Sequence, residues 1–179
     1  MKYRGYRVDI VAAVALLTVA LLLGVRLAYV RYFVERPLVN ELQALPGVKD
    51  VKLSQARGRY NVKLALGRVD NLAEVYRQAE ELAAASLGLG GFNLMLADER
   101  TPALEQVYYE IHYYVEEALV RGNFSEAAER IQSAARAAGV EEKFYVDQGH
   151  VYVELTQGPG YLYEVHQRPD RSQEGGEPA

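Results

Sequence analysis

The sequence predicts an α+β protein, in which an N-terminal transmembrane helix precedes one α+β domain with two β-hairpins, a further strand and an αα-hairpin. Three observations predict this class. One long run near the N terminus is apolar and uncharged, two segments alternate apolar and polar residues around a short turn, and several segments repeat apolar residues at helical spacing. With 179 residues, half of them hydrophobic and a quarter charged, the chain is long enough for one ordinary domain.

The apolar run covers residues 10–25 and contains 16 residues without a charge. Extended at both ends, it predicts a transmembrane helix over residues 8–30, after a short basic segment over residues 1–7. The residues expected at the membrane interface are Arg26, Tyr29, Arg31 and Tyr32. A cleaved signal peptide is the alternative, but residues 24–31 lack a clean small-x-small cleavage pattern.

Charge is distributed unequally along the chain. Residues 1–36 carry six basic and two acidic side chains, whereas residues 37–179 carry 14 basic and 22 acidic ones. Basic residues flank the apolar run on both sides, so the very short N-terminal segment is what favours a cytoplasmic N terminus. We therefore expect a single-pass protein of the cell membrane, in contact with the lipid bilayer through residues 8–30, whose domain is extracytoplasmic. The acidic domain argues against nucleic acid as a partner.

Residues 31–167 are expected to form the membrane-proximal domain, and residues 168–179 have the composition of a disordered tail. Two parts follow each other within this domain. Residues 37–97 predict the element order helix, strand, strand, helix, strand, and residues 101–157 predict an αα-hairpin followed by a β-hairpin.

The first part begins with a short helix over residues 38–45, and the hairpin that follows admits two registers. A four-residue loop over residues 55–58 is preferred on charge. The expected pairs are then Asp50 with Lys63, Val51 with Val62, and Leu53 with Tyr60. A loop two residues shorter would place Lys52 against Lys63. After the hairpin, Asn71 and Glu74 have the spacing of a capping box and predict a helix up to Gly88, and residues 92–96 predict a strand.

The second part begins at Thr101 and Pro102, the residue types of an N-cap and a first helical position. The long helix that follows has an apolar face made of Leu104, Val107, Tyr108, Ile111, Val115, Ala118 and Leu119. A further helix over residues 124–138 is expected to lie back against it. The last hairpin turns at residues 148–149, and residues 161–165 predict a short strand. The expected pairs of the last hairpin are Val146 with Val151, Phe144 with Val153, Asp147 with His150, Tyr145 with Tyr152, and Lys143 with Glu154.

Residues 37–97 resemble the small αββαβ modules found beside membranes, such as the ring-building domains of secretion and sporulation channel proteins and the bacterial BON-type domains. The resemblance lies in the sequence Leu-Pro-Gly-Val at residues 45–48, in the alternating hairpin, and in the capped helix NLAEVYRQAEEL at residues 71–82. It implies lateral self-association or docking near a membrane, without catalysis. Residues 102–157 depart from this minimal module.

A tyrosine-rich segment of the long helix is the candidate interaction surface. Tyr109, His112, Tyr113 and Glu116 share one side of that helix, opposite its apolar face. Tyrosine combines a large contact area with a polar tip and is enriched in protein interfaces. The alternative is that both sides of the helix are buried between the sheet and a neighbouring helix.

Catalytic and metal-binding patterns are absent from the sequence. The chain has no cysteine, which excludes disulfides, thiolate metal sites and cysteine nucleophiles. It has three histidines. His112 and Glu116 have the spacing of two metal ligands, but no third ligand is evident. Asp147 and His150 are expected to form an ion pair beside a turn. We therefore predict no catalytic residue, no metal site and no cofactor.

These observations lead to an expected function. The chain is expected to be a membrane-anchored interaction or assembly module, with a second copy or another membrane protein as its partner. The alternative is a membrane-anchored sensor of small ligands, with a tyrosine-lined pocket between the sheet and the long helix. An enzyme is the least favoured class.

Overall fold

In a computed structural model of the chain, residues 8–30 and 35–169 are described, apart from the side chains of residues 8–10, 27, 28 and 30. The helices are α1 (Val8–Val30), α2 (Arg36–Gln43), α3 (Leu72–Leu87), α4 (Pro102–Arg121) and α5 (Phe124–Ala137). The strands are β1 (Val48–Ala56), β2 (Arg59–Leu66), β3 (Phe92–Ala97), β4 (Glu141–Val146), β5 (His150–Gln157) and β6 (Gly160–Gln167). The predicted α+β class is confirmed. The predicted segment 1–7, the interface residues Arg31 and Tyr32, and residues 170–179 lie outside the described residues.

The N-terminal helix α1 has exposed side chains throughout residues 11–26, and Tyr29 is exposed as well. Among the described residues, no helix combines the length and the apolar character that a membrane crossing requires. The transmembrane assignment of residues 8–30, with Arg26 and Tyr29 at the interface, therefore stays a prediction.

The first half of the domain is a three-stranded sheet in the order β1-β2-β3, covered on one face by α2 and α3. Strands β1 and β2 are antiparallel, whereas β2 and β3 are parallel because α3 crosses over between them. The predicted N-cap of α3 is confirmed, since the Asn71 side chain accepts a hydrogen bond from the backbone N–H of Glu74 at 3.1 Å. The buried side chains of this half include Leu38, Leu42, Val51, Val62, Leu64, Leu66, Leu72, Val75 and Ala79.

The predicted register of the first hairpin is wrong. The loop has two residues, Arg57 and Gly58, with φ of 52° and 79°, and both positive values suit the hairpin turn whose twist matches that of the strands. The observed pairs are Val51 with Leu64, Lys52 with Lys63, and Leu53 with Val62. The two registers differ by two residues and point the same side chains to the core, and a bulge between Val48 and Asp50 takes Lys49 out of the paired positions. The favourable two-residue turn therefore outweighs the repulsion between two exposed lysines.

A charge reversal can check this register. Lys63→Glu places a carboxylate opposite Lys52 and should raise the melting temperature by about 1–3 °C, since opposite charges on facing residues stabilise a strand pair. In the rejected register the new carboxylate would face Asp50 and lower the melting temperature. Thermal unfolding of the full chain in detergent, followed by circular dichroism, distinguishes the two outcomes.

The second half is an antiparallel sheet in the order β4-β5-β6, with the hairpin α4–α5 packed on one face. The β4–β5 hairpin has the predicted register, including Tyr145 opposite Tyr152 and Lys143 opposite Glu154. The predicted N-cap of α4 is also confirmed, since the Thr101 side chain accepts from the N–H of Leu104 at 3.3 Å. The predicted apolar face of α4 is buried except Tyr108, which is half-buried. Strand β6 is present and is longer than predicted.

The two halves meet along β3 and β6. A single antiparallel bridge joins them in the described part of the chain, where the N–H of Tyr161 donates to the carbonyl of Glu99 at 3.1 Å. Two residues further along β6, the N–H of Tyr163 donates to the buried carboxylate of Asp98 at 2.8 Å. The hydroxyl of Tyr161 also donates to the carbonyl of Leu66 at 2.9 Å. Tyrosines of the second sheet therefore complete the core of the first half.

Candidate functional site

The four residues of the predicted interaction surface lie together on one side of α4. Tyr109 and Tyr113 are 62% and 60% exposed, Glu116 is exposed and His112 is half-buried. The imidazole of His112 lies between the two phenols, with ring centroids 5.4 Å from Tyr109 and 3.8 Å from Tyr113. We call these four residues the aromatic face. The alternative that both sides of α4 are buried is excluded by the exposure of the two tyrosines.

Local hydrogen bonds fix the orientation of the aromatic face. Nδ1 of His112 lies 2.5 Å from the backbone carbonyl of Tyr109, and because a carbonyl only accepts, this nitrogen carries the hydrogen. A hydrogen bond with the side chain of Tyr109 raises the pKa of Tyr113. The Tyr113 hydroxyl is therefore the donor in this bond, and its oxygen remains to accept a hydrogen bond from a partner.

Strand β6 supports the aromatic face from behind. The hydroxyl of Tyr108 lies 2.8 Å from Nε2 of His166, and Nδ1 of His166 lies 3.6 Å from the carboxylate of Glu116. Burial raises the pKa of Tyr108, so that hydroxyl is neutral. Sequence reasoning missed His166 because it lies 58 residues from Tyr108, and no local pattern marks the pair.

Acidic side chains flank the aromatic face along α4. Glu105 lies one helical turn before Tyr109, is exposed, and pairs with no basic group among the described residues. The carboxylate of Glu116 faces the imidazole of His166, and the carboxylate of Glu117 pairs with Arg121 at 2.5 Å. The surface of α4 is therefore aromatic and acidic.

A second exposed surface lies on the first sheet, on the side away from α2 and α3. Its members alternate in sequence with the buried strand residues, and we call it the open sheet face. It consists of Lys52, Arg59, Asn61, Lys63, Asn93 and Met95. Lys52 lies directly opposite Lys63, and no carboxylate among the described residues pairs with Lys63 or Arg59. This surface is basic, although the domain as a whole is acidic.

A cavity of about 660 Å³ lies between α3, β3 and the second sheet. Tyr76 and His150 pack edge to face in its wall at 5.1 Å, and His150 lies 3.6 Å from the carboxylate of Glu80. Burial raises the pKa of Tyr76 to about 12. The predicted pocket between the second sheet and α4 is filled by aliphatic side chains instead, among them Ile111 and Val153.

Within residues 8–30 and 35–169, no group of three or more histidine or carboxylate side chains is placed to hold a metal ion. The predicted ion pair between Asp147 and His150 is replaced by a turn in which the Asp147 carboxylate accepts the N–H of His150 at 2.7 Å. It also accepts the hydroxyl of Tyr152 at 2.8 Å. Asp147 therefore has a structural role.

The fold and the surfaces define a class of protein: an α+β domain with an exposed aromatic helix face and an uncovered basic sheet face. No known protein family matches the chain, and no curated protein is significantly similar to it. The functional argument therefore rests on these surfaces.

Proposed function

We propose that the chain is a single-pass membrane protein whose extracytoplasmic α+β domain acts as an interaction or assembly module. The aromatic face is the proposed contact surface. The observation that carries this proposal is the exposure of Tyr109 and Tyr113, 62% and 60%, on a helix whose opposite side is fully packed. Exposed tyrosines that are held in place by ring contacts within α4 supply a large contact area at low cost in conformational entropy.

The membrane anchor in this proposal rests on the sequence, because no described helix qualifies as a membrane span. Its support is the uncharged run over residues 10–25 and the arginines that flank it. Carbonate extraction of membranes from expressing cells tests the anchor. Release of the intact chain into the soluble fraction would contradict it.

Site-specific photo-crosslinking tests the contact surface in cells. A photoreactive phenylalanine analogue at Tyr113 should give a crosslinked product, because the side chain at this position would lie inside the proposed interface. The same analogue at Ser133, exposed on α5 away from the aromatic face, is the matched control. Absence of products at both Tyr109 and Tyr113, or equal yields at Ser133, would contradict an interface on α4.

The cavity beside Tyr76 favours a second candidate function, a membrane-anchored sensor or binding domain for small ligands. A volume of about 660 Å³ lies within the range of small-molecule sites. Reproducible thermal stabilisation of the full chain by one class of compound would favour the sensor, provided that Tyr76→Ala abolishes the shift.

A further inference from the structure

We infer that the partner of the aromatic face is a second copy of this chain, which it contacts through the open sheet face in a head-to-tail arrangement. This inference rests on the proposed function, since it names the partner of the same contact surface. It is carried by two exposed surfaces of opposite charge, neither of which is covered by another described part of the same copy.

The electrostatic argument begins with the lysines of the open sheet face. Lys52 and Lys63 lie directly opposite each other, an arrangement that destabilises a strand pair. Lys52 is 77% exposed. Its amino group lies 3.8 Å from the carboxylate of Asp50, which is itself half exposed, so this ion pair is weak. A local rule broken in this way often marks a surface whose role lies outside the isolated fold. An acidic partner would relieve the repulsion between the two lysines.

The surface of α4 supplies the matching charge. Glu105 and Glu116 lie on the same side of the helix as Tyr109 and Tyr113, so carboxylates are present at both ends of the tyrosine pair. They are about 16 Å apart along the helix, so across the proposed contact one would face the neighbouring pair Lys52 and Lys63 and the other Arg59, which lies about 13 Å from Lys63 along β2. Complementary charges of this kind favour association and fix the register of the two copies.

The uncharged members of the two surfaces also match. Met95 pairs with Lys63 across β2 and β3 and is 42% exposed. In the neighbouring pair, the side-chain amide of Asn93 donates to the side-chain oxygen of Asn61 at 3.3 Å. Methionine sulfur and lysine ammonium groups both pack favourably against tyrosine rings. The open sheet face therefore offers contacts to the phenol rings as well as to the carboxylates.

One copy cannot satisfy both of its own surfaces. The aromatic face belongs to the second half and the open sheet face to the first, and no hydrogen bond or ion pair joins them among the described residues. A contact between two different surfaces repeats from copy to copy and builds a closed ring or an open row. Copies anchored in one membrane would share their orientation, which suits such a repeat.

Charge reversal with complementation tests the inference. The variant K52E/K63E reverses the open sheet face and keeps a like-charge pair, so its fold stability should change little. The variant E105K/E116K reverses the surface of α4. Each variant alone should self-associate at least tenfold more weakly than the wild type. Because every variant retains α1, association through that helix contributes equally to all of them.

A mixture of the two variants supplies the decisive result. In the mixture each reversed surface meets a surface of opposite charge, so self-association should return to within about threefold of the wild type. A chain that carries all four substitutions should recover in the same way. The measurement is sedimentation of the full chain in detergent over a range of concentrations, with melting temperatures to confirm that every variant is folded.

Four outcomes would overturn the inference. One is a wild type of constant mass at every concentration, and another is weak association that persists in the mixture. The third is a K52E/K63E variant that loses only binding to vesicles containing anionic lipid, with self-association unchanged. A crosslinked product at Tyr113 with the mass of a different protein would also overturn the second-copy assignment, while the proposed contact surface on α4 would stand.

Discussion

Replacement of Asp98 by alanine is expected to lower the melting temperature of the full chain by roughly 5–12 °C, which corresponds to about 2–4 kcal/mol. The Asp98 side chain is 3% exposed and binds Arg100 through two contacts of 2.8 Å. It also accepts the N–H of Tyr163. Alanine leaves this N–H without an acceptor and Arg100 with only Glu164 as a partner. The partial exposure of Arg100, 34%, keeps the expected loss below that of a fully buried pair.

Two further variants separate the causes of this loss. Asp98→Asn retains an oxygen that can accept from Tyr163, but it removes the charge and one of the two oxygens that accept from Arg100. Its loss should therefore be smaller than that of Asp98→Ala. Glu129→Ala, at an exposed site on α5, should change the melting temperature by no more than about 1–2 °C. Equal melting temperatures for Asp98→Ala and Glu129→Ala would show that Asp98 does not hold the junction together.

Replacement of Glu154 is expected to change how stability depends on pH. Glu154 is 4% exposed, and its carboxylate accepts the N–H of Leu72 at the start of α3, at 3.1 Å. Burial raises the pKa of Glu154, although this hydrogen bond and Lys143 act in the opposite direction. Because the folded-state pKa lies above the unfolded-state value, the protonated form favours folding. The contribution of Glu154 to stability is therefore greatest below the ordinary glutamate range and is lost as the pH rises through its raised pKa.

Comparison of Glu154→Gln with Glu154→Ala tests this account. Glutamine keeps an oxygen for Leu72 and cannot ionise, so the decline of wild-type stability with rising pH should be reduced. Alanine also cannot ionise but lacks the acceptor, so Glu154→Ala should be about 1–3 kcal/mol less stable than Glu154→Gln at every pH. Urea unfolding of the full chain at several pH values between 4 and 8 measures both effects. Parallel curves for the wild type and Glu154→Gln would contradict a desolvated carboxylate.

The helices could be predicted from the sequence because their signals are local. Asn71 and Thr101 are caps whose partners lie three residues away, and the apolar spacing of α4 identifies its buried side. The second hairpin was also predictable, since every facing pair in its two-residue loop register is complementary. In the first hairpin, charge and turn geometry favoured different registers. Repulsion between exposed residues is the weaker of these two effects, and for this reason the preferred register was wrong.

The junction between the halves could not be predicted. Asp98 lies in the charged run over residues 98–100, and Glu154 alternates with Val153 and Leu155 as an outward residue of a strand would. Neither pattern indicates that these two carboxylates are buried. Their burial depends on β6 lying beside β3 and on β5 lying against the start of α3. The candidate site could be predicted only in part. The exposure of Tyr109 and Tyr113 follows from the helical period, whereas the support from His166 requires the packing of β6 against α4.

The tyrosines at the junction have a consequence for the order in which the chain acquires its structure. The hydroxyls of Tyr161 and Tyr163 bind carbonyls that lie 95 and 96 residues earlier, whereas the strand pairs and helix contacts of each half connect segments close together in the chain. Closing such long loops is slow compared with forming local contacts. The two halves should therefore form early and dock late, and during synthesis the first half must wait for β6 before its core is complete.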